Sequence, residues 1–261
     1  MLDWLRKLAQ RRATNWQGVD ALLAPHLGKG GTCGTRNLLT RESWLEQTLA
    51  KIPEGSRILD AGAGESQYKR FCAHLNYTSQ DFGRYDGEGN GKGLQTGKWE
   101  QSRLDIESDI TQIPEPDSSF DAVMCIEVLE HLPQPVDALR ELCRLLKPGG
   151  VLILSAPFCS LTHMAPYFYQ TGYSRYFYEY WLKELGVSIV EMQWNGNFFE
   201  YLAQELRRLP AVAAQYSKEA LSETEQKAQD ILLGALNRLS KADHGSEQFL
   251  SYGLHVVAQK R

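Results

Sequence analysis

Along this chain, short apolar runs that close on acidic or glycine-rich turns alternate with stretches whose apolar residues recur every three to four positions. Ile58 and Leu59 follow the turn formers of 53–56 and read as a buried strand running straight into Asp60, Gly62 and Gly64. Tyr77 to Gln80 reads as a second strand ending at Asp81, and Leu104 to Ser108 as a third that delivers Asp109 and Ile110. Phe120 to Ile126 is nearly all apolar, the mark of a strand buried on both faces. Val151 to Ser155, Val187 to Trp194 and Leu250 to Gln259 complete seven.

Helical spacing fills the intervals. Trp4, Leu5 and Leu8 define a basic amphipathic helix over 3–12, expected to pack on the domain or cover a site rather than lie on a membrane. Thr40 is a good N-cap ahead of Trp44, Leu45, Thr48 and Leu49. Tyr68, Phe71, Cys72 and Leu75 mark a further helix face. Pro133 and Pro135 open a helix striped by Val136, Leu139, Leu142, Cys143 and Leu146, which stops at the turn Lys147-Pro148-Gly149-Gly150. Phe177, Trp181 and Leu185 share a helix face, and residues 198–209 and 217–240 read as two more helices. Such alternation predicts an α/β fold with a doubly wound sheet, organised as helices over 1–52 capping the site and one domain over 53–261. A helical insertion occupies 197–241 of that domain. Residues 83–103 break the pattern: a crossover helix is expected there, yet Gly87, Gly89, Gly91, Gly93, Gly97 and Trp99 stand among polar residues, so a long loop is expected to fold over the ligand or lie on the surface.

Composition narrows the partners. With 261 residues, 43% of them hydrophobic, the chain can bury a full core. Five scattered cysteines fit a reducing compartment, and no stretch approaches the ~18 apolar residues of a membrane span or the apolar core of a signal peptide, so a cytoplasmic protein with no membrane partner is expected. Net charge is −4 but unevenly spread. Residues 1–52 carry eight Lys/Arg against four Asp/Glu, whereas 53–136 carry seven against fifteen. The acidic half holds the glycine turn, which disfavours nucleic acid as a partner.

The turn itself, R-I-L-D-A-G-A-G at 57–64, lacks the third glycine of a dinucleotide fingerprint, whose place is taken by Gln67. Its D-x-G-x-G core resembles motif I of the class I S-adenosylmethionine-dependent methyltransferases. With Asp81, about 20 residues on, and the run from Ile113 through E-V-L-E-H-L at 127–132 to Ser155, the likeness covers residues 55–160 and is similar to the type 11 methyltransferases. That resemblance implies a Rossmann-like sheet of seven strands, the last antiparallel. It also implies a cofactor site: Asp60, Ala61, Gly62 and Gly64 at the amino-acid half, Asp81 and Phe82 at the ribose, Asp109 and Ile110 at the adenine, and Glu127 at the methionine moiety. The expected reaction is in-line methyl transfer from S-adenosylmethionine to a small-molecule or glycan acceptor at oxygen. Alternatives are an N-methyltransferase, an RNA-end methyltransferase, and a cofactor-binding regulatory protein without transfer activity.

Glu127, Glu130 and His131 would share one face if they lie on a helical turn. The E-x-x-E-H stretch resembles that of ubiquinone-pathway and small-RNA O-methyltransferases, where it supplies metal ligands, and His163 would complete a set for Mg²⁺ or Mn²⁺. A direct His131 or His163 base, or positioning alone, stays open beside it. Aromatic residues crowd 158–181, and Pro157 to Gly172 is expected to line the acceptor pocket. A homodimer through the helix at 217–240 is a further expectation.

Overall fold

A computed structural model describes residues 31–99 and 103–261. The helix expected at 3–12 lies outside them. Two compact units emerge, one comprising residues 37–196 with 249–261, the other drawing on the segment up to residue 36 together with 197–248.

The larger unit is a seven-stranded sheet. Its strands are β1 (Arg57–Ala61), β2 (Asn76–Asp81), β3 (Ile106–Glu107), β4 (Phe120–Ile126), β5 (Leu146–Pro157), β6 (Val187–Asn195) and β7 (Gly253–Lys260). They stand in the order β3-β2-β1-β4-β5-β7-β6. All pairs from β3 to β5 are parallel, while β7 runs antiparallel to both β5 and β6. Strand order reverses at β1 and β4, and in open α/β sheets the crevice at such a reversal, outside the strands' carboxyl ends, is where ligands bind.

Alternation along β4 shows why its sequence is continuously apolar. Val123 and Cys125 pack with Leu139 and Leu142 of helix α2 (Pro135–Leu145) and with Tyr178 and Leu182 of helix α3 (Arg175–Glu184). Ala122, Met124 and Ile126 pack on the opposite face with Trp44, Leu45 and Leu49 of helix α1 (Asn37–Leu49). Each face is covered, so neither set of β4 side chains meets water.

Three expectations change. Helix α1 begins at Asn37, whose carbonyl and side-chain oxygens accept from the buried Asn195 amide at 3.1 and 2.8 Å, so Thr40 sits a turn inside. Between β1 and β2 only a short 3-10 turn over Gln67–Phe71 forms. Tyr68 and Cys72 still reach the core, but a chain that re-enters the sheet at Asn76 has no room for a longer helix. The third strand is cut to two residues at the sheet edge.

The smaller unit pairs helices α4 (Phe198–Val212) and α5 (Glu223–Lys241), with Cys33, Ala203 and Leu233 buried between them. Asn197 caps α4 and a Ser222–Glu225 capping box starts α5. Pro210 lies inside α4 and has no N–H for the carbonyl of Leu206 four residues back. The Gln229 side-chain amide from α5 donates to that carbonyl instead, at 2.5 Å. Gln229→Ala is expected to cost about 1 kcal/mol in urea denaturation. In a Pro210→Ala background, where the helix supplies its own donor, the same change should cost less than half as much.

Candidate active site

The carboxyl ends of β1, β2 and β4 frame a cavity of about 600 Å³. Its wall includes Gly62 and Gly64 after β1, Asp81 and Phe82 at the end of β2, Asp109 and Ile110 after β3, and Glu127, His131 and His163. Asp60 and Ala61 are not part of it. Both are buried within β1, behind the turn.

Glycine is required in this turn by protein neighbours. Gly62 has φ +78°, and a Cβ there would stand 2.5 Å from the Val128 side chain. At Gly64, with φ +52°, it would stand 3.1 Å from the Trp99 ring. The amides of Gly62 and Ala63 both donate to the Gln80 carbonyl at 2.8 Å, and that of Gly64 to Asp81 Oδ2 at 3.0 Å. The turn's amides thus fasten it to the end of β2.

Asp81 also accepts the Gly83 amide on Oδ1 at 2.9 Å. Each carboxylate oxygen keeps a further lone pair, enough for two hydroxyls of a cis-diol. Asp109 Oδ1 takes the amide and hydroxyl of Thr111, both at 2.8 Å, which leaves Oδ2 for an exocyclic amine. Asp60 accepts from the Tyr77 hydroxyl at 2.6 Å. Burial pushes its carboxyl up to about 7; the Tyr77 bond opposes that rise and the neighbouring Asp81 charge adds to it.

Glu127 does not lie on a helix with Glu130 and His131. Its φ of +56° swings it out of line, and a 3-10 turn begins only at Leu129. Its carboxylate accepts from Ser155 Oγ at 2.5 Å and pairs with Arg41 at 2.9 Å. Arg41, from the first turns of α1, reaches the cavity beside the glycine turn with a side chain 14% exposed. Burial disfavours its charge, but Glu127, Tyr68 and Glu130 more than offset this and raise its pKa. Sequence reasoning missed Arg41. The available signal was its position three and four residues before Trp44 and Leu45, on the buried face of the helix.

Glu130, His131 and His163 converge instead. Their potential ligand atoms lie within 4.8 Å of one another, the one group of this kind among the described residues. Glu130 is fully buried and neither carboxylate oxygen has a hydrogen bond. The Nε2 atoms of both histidines stand 3.8 Å from its Oε1. His131 Nδ1 contacts the Tyr167 carbonyl at 2.6 Å and His163 Nδ1 the Leu161 carbonyl at 2.9 Å. A carbonyl only accepts, so each Nδ1 carries a proton and each Nε2 is left facing Glu130. Burial lowers the pKa of His131 despite Glu130. Burial also opposes the charge on His163, but Glu130 and the Leu161 carbonyl outweigh it and raise its pKa. A buried, unbonded carboxylate is tolerable only with a positive partner, which here means an imidazolium or a cation.

Of the loop expected over 83–103, residues 89–94 fold onto the segment 162–165, and Tyr85, Thr96 and Trp99 line the cavity. From the aromatic-rich stretch, Tyr167 and Tyr169 line it as well.

Residues 59–154 match the family described as "Methyltransferase domain". A ubiquinone biosynthesis O-methyltransferase of Dechloromonas aromatica is 34% identical over 119 residues, 44% of this chain and 49% of that protein. A demethylmenaquinone methyltransferase of Renibacterium salmoninarum is 31% identical over 159 residues, 60% of this chain and 61% of that one. The chain therefore spans about half to three fifths of the length of these relatives. Among solved structures, a SAM dependent methyltransferase from Archaeoglobus fulgidus superimposes with a TM-score of 0.52 at 16% identity, over 87% of this chain and 95% of that one, and shares the fold.

Protonation of Asp60 links the turn to pH. With its carboxyl raised from 3.8 to about 7, the folded state holds a proton that the unfolded chain has released. Stability from this group is full below about pH 4 and is lost as pH rises through about 7, by on the order of 4 kcal/mol. Asp60→Asn, neutral at every pH and still able to accept from Tyr77, should therefore be more stable than wild type at pH 8 than at pH 5. Thermal melts of both proteins across that range check it.

Proposed function

We propose, on the match of residues 59–154 to the methyltransferase domain family, that this chain transfers the methyl group of S-adenosylmethionine to an oxygen of a small-molecule acceptor. One observation carries it: a single cavity is lined by the glycine turn, Asp81 and Asp109 together with the imidazoles of His131 and His163, which converge on the buried Glu130. Asp81 would hold the ribose hydroxyls, Asp109 the adenine amine and the Ile110 backbone the ring. Arg41 would meet the cofactor's carboxylate, being the cation beside the glycine turn, and Glu127 orients Arg41. Asp60 acts from behind the wall by holding Tyr77.

For an oxygen acceptor the protein must remove a hydroxyl proton. His131, kept neutral by burial and with its Nε2 lone pair toward the group, is suited to take it. Alignment of nucleophile, methyl carbon and sulfur would supply most of the rest.

The same donors fit a divalent ion. Glu130 and the two Nε2 atoms would hold it, while Glu127 is committed to Arg41 and Ser155. Two imidazoles beside one carboxylate suit Mn²⁺ better than Mg²⁺. Bound there, the ion would lower the pKa of an acceptor hydroxyl. The O-methyltransferase name of the Dechloromonas aromatica relative supports an oxygen acceptor.

Calorimetry with S-adenosylhomocysteine should show binding, weakened at least tenfold by Asp81→Ala and by Arg41→Ala; no binding by correctly folded protein would overturn the proposal. Mn²⁺ titrated into wild type should bind, with His163→Ala and Glu130→Gln each losing at least tenfold in affinity. Binding unchanged in both variants would leave the ion out and His131 as a direct base.

A further inference from the structure

The glycine-rich segment 82–99 is held at three places, and their arrangement is informative. Both ends rest on the glycine turn after β1. At one end Asp81 receives the amides of Gly64 and Gly83, and at the other the Trp99 ring lies against Gly64. The middle pairs with the chain that carries His163. Leu94 donates to the Thr162 carbonyl at 3.0 Å and accepts from the Met164 amide at 2.8 Å, and Asn90 donates to the Ala165 carbonyl at 2.9 Å. Inside the segment Tyr85 is 3% exposed, with its hydroxyl on Gln95 Oε1 at 2.7 Å and its ring edge-on to Trp99 and Tyr167.

One histidine of the convergent group belongs to the chain so held, and the other, on the turn after β4, leans on that chain's continuation at Tyr167. His163 lies between the two residues that bond Leu94, and His131 takes its orientation from the carbonyl of Tyr167. We propose that residues 82–99 are a positioning strap which ties the placement of His131 and His163 to occupancy of the cofactor end of the cavity, with Tyr85 as its internal brace. This rests on S-adenosylmethionine being the ligand of that end. Cofactor seated against Asp81 and the glycine turn bears on both strap ends at once, and the backbone bonds at Asn90 and Leu94 carry the effect to the histidines.

Two glycines separate this coupling from simple packing. Gly93 and Gly91 have nearly the same left-handed φ, +69° and +70°, so an added Cβ strains both backbones alike. At Gly93 that Cβ would also stand 2.5 Å from the Thr162 carbonyl oxygen, whereas at Gly91 nothing lies within 4 Å. Gly93→Ala should wedge the strap off the histidine segment, and Gly91→Ala should not.

The measurement is the imidazole nuclear magnetic resonance spectrum of the full chain at fixed pH, with and without saturating S-adenosylhomocysteine. Loss of one signal in His131→Gln and in His163→Gln assigns the peaks, and calorimetry reports affinity in parallel. Expected are a shift of both imidazoles in wild type on adding S-adenosylhomocysteine, retained in Gly91→Ala and at least halved in Gly93→Ala, with the affinity of both variants within threefold of wild type. Tyr85→Phe, which removes the hydroxyl's contacts with Gln95, the Gly87 carbonyl and Thr96 inside the segment, should reduce the shift in the same direction and serves if Gly93→Ala does not fold. If S-adenosylhomocysteine binds wild type but the imidazole spectra of Gly93→Ala and Tyr85→Phe coincide with wild type in both states, the strap is overturned and the cofactor assignment stands. Failure of folded wild type to bind it would overturn the cofactor assignment and the coupling with it.

Discussion

Everything at this site depends on how the turn after β1 is tied down. Two successive amides, of Gly62 and Ala63, converge on one carbonyl, Gln80, and the next amide goes to Asp81. A chain bent that tightly needs a positive φ at Gly62, and the side chain of Val128 fills the space a Cβ would take. The ends of β1 and β2 and the turn after β4 are thereby locked together, and Asp81 and Glu127 take up their places in the wall of one cavity. Glycine here serves close packing of three chain segments, and the ligand's access follows from that packing.

Charge is distributed around the cavity in two buried groups with different logic. Arg41 and Glu127 neutralise each other at 2.9 Å, with Ser155 taking the remaining carboxylate oxygen. Glu130 has no such partner, only two imidazoles at 3.8 Å, beyond hydrogen-bonding distance. Desolvating a carboxylate costs several kcal/mol, more than a pair of neutral imidazoles at that range returns. The first group is a closed pair that holds geometry, and the second is an open one that draws in a proton or a cation. The two rings respond differently: burial lowers the pKa of His131, whereas at His163 burial is outweighed by Glu130 and the Leu161 carbonyl, which raise it.

What was legible in the sequence was what local chemistry decides. Seven strands, the acids at their carboxyl ends and the glycine turn follow from apolar runs closing on Asp and Gly, and the structure has them in that order. The start of α1 was not legible, because Asn195, more than 150 residues away, fixes it rather than Thr40. Nor was the shortness of the turn at 67–71, where the return to β2 overrides a helical apolar pattern. Spacing put Glu127, Glu130 and His131 on one helix face. That inference required a helix, and the left-handed φ of Glu127 removes it, sending one carboxylate to Arg41 and leaving the other to the histidines. Arg41 itself escaped because an arginine at the edge of an apolar stripe looks like a snorkelling surface residue until its partner is known.

The segment 83–99 shows why the absence of a crossover helix matters. A helix there would satisfy its own backbone and pack on the sheet, leaving no main-chain groups for the loop at 162–165. Glycines keep the chain irregular, and its amides and carbonyls are then available to bond across to that loop. Gly87, Gly89 and Gly93 each approach a carbonyl oxygen closer than any side chain would permit, and two of those oxygens belong to Ala165 and Thr162 on either side of His163. The same glycines that prevent a helix therefore make the contact with the histidine segment, so one compositional feature both removes an element of the fold and builds a link between the two ends of the site.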